Sequence, residues 1–485
     1  MSGLAELTSD CRSRLKPAQV VTEPAQLRTY ECDGLSSYRS TPGLVVLAES
    51  AADVAFVVSR CAALGVPFVA RGSGTGLSGG ALPRTDGALV VTSRLNRIVD
   101  VDAADERAVV EPGVINAHLS TAARPFGRYY APDPSSQQVC TIGGNVAENS
   151  GGAHCLKYGF TAHHVTGIEM VMPDGSLERF GGRAPDPVGY DVIGAVVGSE
   201  GTLGVVTEAT VRLLRTPQAV QTVLAAFHSI EDAGDAVTAI IAAGVLPAAV
   251  ELMDALAIEA AEAAVHPNYP AGAGAVLIVE LDGPACEVDA QLEDVQRLCR
   301  AAAAFSLRIA SDAVERDLIW KGRKSAFAAV GRISPDYIVQ DGVIPRTALA
   351  EVLRAIDDVA DQAGLRVANV FHAGDGNLHP LVLFDEAKGE TERAEGVSNR
   401  IIELCLEHGG SITGEHGVGH DKVVHMGKMF SAIDLDVMQL VRCAFDPAGI
   451  ANPGKVFPTP RLCGERPGRR SGAHPLAEAG VAEVF

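Results

Sequence analysis

The chain runs to 485 residues, 47% of them hydrophobic, with 51 glycines and a formal charge of −20. Its length exceeds one ordinary core and implies about two to four domains. The acidic balance, with no Lys/Arg block before the tail, excludes a nucleic-acid surface, because phosphate binding needs a basic field.

Ten cysteines without a CxxC pair suggest neither a structural zinc site nor an iron–sulfur cluster. The N-terminus "MSGLAELTSDCRSRL" has no apolar region, and apolar runs stay far below the ~20 residues of a membrane span. A cytoplasmic protein, soluble or peripheral at the inner face of a membrane, is expected.

The opening stretch to residue 40 reads as a helical segment. From Gly43 to Leu214 short β-rich runs alternate with glycine-rich turns: "GLVVLAE", "VPFVARG", "ALVVTSRL", "AVVEPGV", "IEMVMPDG", "GVVTEATVRLL". Only "SAADVAFVVSRCAALG" and "VINAHLSTAARPFG" read clearly as helices there, which describes an α+β domain. After Thr216 and Pro217, strands "QTVLAAF", "AAVELMD", "GAVLIVELDG" and "FSLRIASD" alternate with alanine-rich helices such as "DAQLEDVQRLCRAAA". That alternation predicts a sheet with helices on one side. "DYIVQDGVIP" and "VANVFHAGDGNLHPLVLF" supply more strands. From about Glu390 the chain turns helical, is interrupted by "GGSITGEHGVGH", and ends in "ANPGKVFPTP" and an aperiodic tail expected to be disordered.

Three glycine clusters stand out. The first, "RGSGTGLSGGALP", meets GxGxxG through Gly74, Gly76 and Gly79, and GxSxG through Gly76, Ser78 and Gly80. Both motifs need a helix directly afterwards, and here glycine, proline and a strand follow. What remains is an ordinary glycine-rich connection or a nest of bare N–H groups for an anion. With "PDPSSQQVCTIGGNVAENSGG" and "VVGSEGTLGVVTEATVRLL", three such loops within one domain suit an extended ligand with a pyrophosphate in its middle.

In this order the three stretches resemble the FAD-binding domain of the vanillyl-alcohol oxidase or PCMH type, and the downstream part resembles the FAD-linked oxidase C-terminal domain. The likeness covers roughly residues 20 to 457. Within that family the chain is similar to the group of glycolate oxidase catalytic subunits, D-lactate dehydrogenases and D-2-hydroxyglutarate dehydrogenases. The resemblance implies an α+β fold. Residues 1–40 pack on a two-subdomain FAD-binding domain over 41–217. A substrate-binding cap with an antiparallel sheet covered by helices on one side spans 218–410. Residues 411–457 return to the FAD domain, and 458–485 form the tail. It further implies that Arg71, Gly72, Ser73, Gly74, Thr75 and Gly76 cradle the pyrophosphate, and that Pro132, Asp133, Ser136, Gly143, Gly144, Asn145 and Ser150 line the isoalloxazine and ribityl regions. Glu200, Gly201, Gly204 and Val206 flank the adenine end, and Asn452 of "NPGK" returns the C-terminal segment to the flavin. Thr75 stands where some members tether FAD through a histidine, so non-covalent FAD is expected.

In "RVANVFHAGDGNLHPLVLF" two strands flank a turn, with Asn377 read as a positive-φ turn residue. If His372 and His379 stand opposite each other, their rings emerge on one face about 5 Å apart, and two such imidazoles can share a divalent metal at about 2.0–2.1 Å. Glu415, in "TGEHGVGH", would complete a three-ligand site with an open position, the arrangement of a metal that works on substrate. Family members coordinate a divalent metal (Zn, Mn or Fe) with residues matching His372, His379 and Glu415. His416 faces away from its neighbour, and a neutral imidazole suits a general base; the family assigns the matching histidine that role. His118, His154, His163, His164, His228, His266, His408 and His425 read as structural. A substrate carboxylate calls for a guanidinium, and in "LIWKGRKSAFAAVGR" the family's arginine matches Arg323.

The implied reaction is FAD-dependent, metal-assisted oxidation of glycolate or D-lactate to the 2-oxo acid. Val339 and Leu381 stand where the hydroxyglutarate branch carries a lysine and an asparagine, which disfavours a second carboxylate. Other readings are a metal-dependent hydrolase using the His/His/Glu site, a D-2-hydroxyglutarate dehydrogenase, a non-catalytic flavoprotein subunit and a synthase of the alkyl-dihydroxyacetonephosphate type. Electrons would leave to a quinone, a cytochrome, an iron–sulfur partner subunit or oxygen; peripheral membrane association and a homodimer are compatible with this reading.

Overall fold

The computed structural model describes residues 3–184 and 189–458; the tail expectation falls, from residue 459 on, outside them. Two compact units emerge. Among the described residues, one gathers Gly3–Ser150, Phe160–Arg215 and Glu415–Pro458; the other holds Gly151–Gly159 and Thr216–Gly414.

In the first unit, Val20–Val21, Leu44–Leu47, Ala88–Val91 and Phe68–Arg71 form a four-stranded sheet in that order, the last three strands parallel. The parallel crossover is the helix Ala51–Leu64. Ser50 starts it by accepting from the Asp53 N–H, and Gly65 stops it at φ 63°, a left-handed angle that glycine adopts without Cβ strain. Its Val54, Val57, Val58 and Cys61 recur at helical spacing and are buried with Leu7 and Cys11 of the helix Gly3–Arg14. A second, antiparallel sheet runs Ile98–Asp102, Arg107–Val110, Val205–Arg212, Val165–Val171, Leu177–Gly181.

The glycine clusters differ from one another in structure. From Arg71 to Ala88 no helix forms and Ser78 is fully buried, so this is neither a dinucleotide fingerprint nor a nucleophile elbow. The second cluster, expected as loop, contains the helix Ile142–Glu148. Its first turn is nucleated by the Thr141 hydroxyl, which accepts from the Gly144 N–H at 3.3 Å. Near the C-terminus Ala451 bridges to Phe68, which pins that segment to the sheet edge.

The second unit is built on one large antiparallel sheet. Ser306–Ile309, Ala219–Phe227, Ala275–Gly283, Ala249–Asp254 and Arg366–His372 are successive neighbours, and Pro380–Phe384 and Asp336–Val339 continue it. Helices Ile230–Ala242, Ala285–Ala301, Leu349–Ala363 and Thr391–Glu407 cover the face that receives Val223, Ala225 and Phe227, as the expected one-sided layer. The other face, with Leu224 and Ala226, is covered too, by Ala255–Val265 and Ala313–Val330. The strands "VLAAF" and "AVLIVEL" are unbroken apolar runs because both of their faces are dry.

Glu280 is one of the buried carboxylates that interrupt that dry sheet. It accepts from the Trp320 indole at 2.6 Å and the Thr222 hydroxyl at 2.9 Å, and pairs with His154 at 3.1 Å. Burial alone would raise its pKa; these partners outweigh burial and hold it below the usual carboxylate range. His154, assigned a structural role in the sequence, thereby fastens residues 151–159 to the sheet.

Candidate functional site

The first unit contains an open cavity of about 1300 Å³, its mouth included. Arg71 to Gly76, Ser136, Gly143, Gly144, Asn145, Ser150, Glu200, Gly201, Gly204 and Val206 all line it, with Glu148, Glu415 and His416. Pro134 and Ser135 occupy the wall where Pro132 and Asp133 were expected. Pro132 instead lies behind it, its carbonyl accepting from the Asn116 amide at 3.0 Å.

The lining glycines have a physical reason. A Cβ on Gly76 or Gly201 would meet no neighbouring atom nearer than 3.7 Å, so it would stand in the cavity itself. Gly74 sits at φ 72°, and a Cβ there would lie 2.1 Å from the Arg71 guanidinium, which is folded beneath the loop. That guanidinium donates to the Cys32 carbonyl at 2.6 Å and lies 5.8 Å from the Tyr30 ring centroid; burial lowers its pKa. Arg71 therefore braces the loop from below. The uncovered backbone suits an extended anionic cofactor, and FAD fits this lining. Asn452 acts as a tie: its amide donates to the carbonyls of Gly80 at 2.9 Å and Glu200 at 2.6 Å.

The second unit carries a buried polar network. His372 ends the strand Arg366–His372 and pairs with Asn377, not with His379. The same register, which sets Asn369 against Pro380, places His379 across from Val370 and diagonal to His372. Both rings still share a face, with centroids 5.2 Å apart and planes at 86°. Asn377 is a buried strand residue, and the positive φ belongs to Gly376 at 81°. The expectation failed there because glycine already supplied the turn.

Glu251 organises the network. Its carboxylate is 2.7 Å from His372 Nδ1 and 2.6 Å from the Arg323 guanidinium, and its side chain is wholly buried. A carboxylate on Nδ1 sets the tautomer and directs Nε2 outward, as is usual behind a metal-bound imidazole. Asp341 plays a related part, 3.4 Å from His379 Nε2, while accepting from Thr413 Oγ1 at 2.5 Å and the Gly414 N–H at 3.0 Å. Two imidazoles sharing a face, each backed by a carboxylate, are a donor set that fits a divalent cation. Sequence reasoning missed Glu251; the available signal was an acid in the middle of the apolar strand "AAVELMD".

The fold and cavity define a two-domain flavin-dependent oxidoreductase, and comparisons with known proteins agree. Residues 42–181 match the model of an FAD binding domain, and residues 216–456 that of the C-terminal domain of FAD linked oxidases. The glycolate oxidase subunit GlcD of Escherichia coli (strain K12) is 49% identical over 455 residues, 94% of this chain and 91% of that protein. A D-lactate dehydrogenase of Anaerostipes hadrus is 30% identical over 456 residues, 91% and 95% of the two chains. Among solved structures, p-cresol methylhydroxylase with substrate bound superposes with a TM-score of 0.78 at 16% identity, over 93% of this chain and 96% of that one. The chain belongs to the FAD-linked oxidase family typified by the glycolate oxidase subunit and the D-lactate dehydrogenases. It is an FAD-linked oxidoreductase.

Gly74→Ala tests the cradle. A left-handed angle costs an alanine ~1–2 kcal/mol, and Arg71 must also move, so flavin retention is expected to weaken about tenfold or more. Visible absorbance of the purified variant, compared with its protein concentration, measures this; full flavin occupancy would contradict it.

Proposed function

We propose that this protein oxidises glycolate or D-lactate to the corresponding 2-oxo acid with non-covalent FAD, and that a divalent cation assists. The observation that carries the reading is the Arg323–Glu251–His372 network: one buried carboxylate holds both a guanidinium suited to a substrate carboxylate and an imidazole suited to a metal. The names of the relatives, a glycolate oxidase subunit and a D-lactate dehydrogenase, point to the same substrate class.

Arg323 pairs with the substrate carboxylate; its planar fork is set by Glu251 and by Phe327, whose ring centroid is 5.8 Å away. His372 and His379 would hold the cation, which when bound would lower the pKa of the substrate hydroxyl. His416 takes the hydroxyl proton as general base. FAD, when bound in the glycine-lined cavity, would supply the acceptor, at N5, for the α-hydrogen leaving as hydride. Electrons then pass to a quinone, a cytochrome or an iron–sulfur partner chain. The hydrolase alternative loses its support, because the chain belongs to the FAD-linked oxidases.

Specificity for a monocarboxylate follows from Val339 and Leu381, which face each other across the strand pair Asp336–Val339 and Pro380–Phe384 and pack in one apolar cluster. Leu381 is fully buried, while Val339 is partly exposed, two residues before Asp341. An unpaired second carboxylate against that surface would lose its hydration without compensation.

Three outcomes test this. Anaerobic mixing with glycolate or D-lactate should bleach the flavin, and His416→Ala should keep the flavin spectrum while slowing bleaching by roughly 10²–10⁴-fold; reduction at the native rate would remove His416 as base. Dialysis against a chelator should slow bleaching until Zn²⁺, Mn²⁺ or Fe²⁺ is restored, whereas indifference to the chelator would exclude the cation. Val339→Lys should raise the rate with D-2-hydroxyglutarate relative to glycolate by about tenfold or more, since a paired charge discriminates strongly; an unchanged ratio would rule Val339 out as a selector.

A further inference from the structure

The loop that presents His416 is held by a residue from a distant part of the first unit. Glu200 follows the helix Val192–Val196, at φ 52° and buried. Its N–H donates to the Ala147 carbonyl at 2.8 Å, and its own carbonyl accepts from Asn452, so the backbone is anchored on both sides. Its carboxylate then reaches across the fold: Oε1 accepts from the Val418 N–H and Oε2 from the Gly419 N–H, both at 2.7 Å. These donors lie two and three residues beyond His416.

The surrounding contacts leave this loop little freedom. A Cβ on Gly417, at φ 87°, would lie 2.4 Å from Glu148 Oε2 and 2.8 Å from Glu200 Oε1. One on Gly419 would lie 2.1 Å from the Ser78 carbonyl, which already accepts from the N–H groups of His420 and Asp421 at 2.9 and 3.0 Å. Both glycines of "HGVG" are thus required for contact with the floor formed by Ser78, Glu148 and Glu200. The two carboxyl groups converge on one spot. Burial, then the Glu200 charge, pushes Glu148 well above the usual carboxylate range. Burial raises Glu200 too, against the two N–H bonds and the charges of Lys455 and Lys422, which favour its ionised form.

We infer that Glu200 is a positioning residue for the reaction: its carboxylate clamps the Val418 and Gly419 N–H groups and thereby sets where the imidazole of His416 stands in the cavity. This rests on the reading of His416 as the general base. The physical reason is geometric. A carboxylate accepts from two adjacent N–H groups at once; an amide accepts from one and turns its own NH₂ against the other. Loss of one anchor lets the loop drift, and a displacement on the order of 1 Å at a catalytic group lowers a rate by about 100-fold.

The test uses full-length, flavin-loaded protein. Glu200→Gln should retain its flavin spectrum, exchange backbone amide hydrogens in peptides covering 417–420 at least about tenfold faster, and show a limiting anaerobic reduction rate with glycolate about 10–100-fold lower, with the half-saturating glycolate concentration changed by less than about threefold. Glu200→Asp, which keeps both acceptor oxygens on a shorter arm, should recover part of the rate. The inference is overturned if exchange at 417–420 is unchanged, if exchange rises while reduction keeps its native rate, or if both variants lose flavin, which would make Glu200 a cofactor-binding side chain instead. Failure of the base reading is seen separately, as native-rate reduction by His416→Ala, and leaves the exchange result to report on the clamp by itself.

Discussion

A carboxylate removed from water must be matched by donors, and the functional groups of this protein are arranged around that constraint. Leaving an ionised carboxylate buried and unpaired costs several kcal/mol, more than most single contacts contribute. Each buried acid therefore dictates what surrounds it. Glu251 requires Arg323 and His372 in fixed positions, Glu280 gathers His154, Trp320 and Thr222, and Glu200 draws in two consecutive N–H groups of the "EHGVGH" loop. The same interactions that make the interior tolerable orient the side chains assigned to chemistry.

The two units use different materials for the same end. In the first, the working surface is mostly backbone: glycines without side chains expose N–H groups, and Arg71, Thr141 and Asn452 brace the loops from behind. Such a surface recognises an extended cofactor by shape and by the direction of its dipoles. In the second, the working surface is side chains on a rigid sheet, buried on both faces by helices. Strands hold His372 and His379 more firmly than loops of the same length would, and the sheet register fixes their diagonal separation.

Much of this was legible from the residues. Apolar alternation and glycine punctuation located the strands of the second unit and the inner strands of the first, but not the outer strands Ile98–Asp102 and Leu177–Gly181 of its antiparallel sheet, and the order of three glycine clusters pointed to the flavin fold. The "FHAGDGNLH" turn marked two histidines that do share one face, although the geometry behind that expectation was direct opposition and the real relation is diagonal. Two strands flanking a turn define a face by parity; the offset depends on where the turn begins, and Gly376, rather than Asn377, carries the positive φ. The helix Ile142–Glu148 was hidden because its two glycines weaken helical propensity, while its start depends on one hydroxyl cap.

What the sequence by itself determined is the kind of backbone each stretch can adopt and the chemical inventory: bare amides, imidazoles and an arginine. These are local properties, set by side-chain volume, φ preference and period. Only the tertiary structure decided which acid answers which donor. Glu251 meets His372 across 121 residues, and Glu200 meets Val418 across 218. No local rule connects positions so far apart. Desolvation makes each such pairing strict, yet the choice of partner is made by the packing of sheets and helices that brings them within 3 Å.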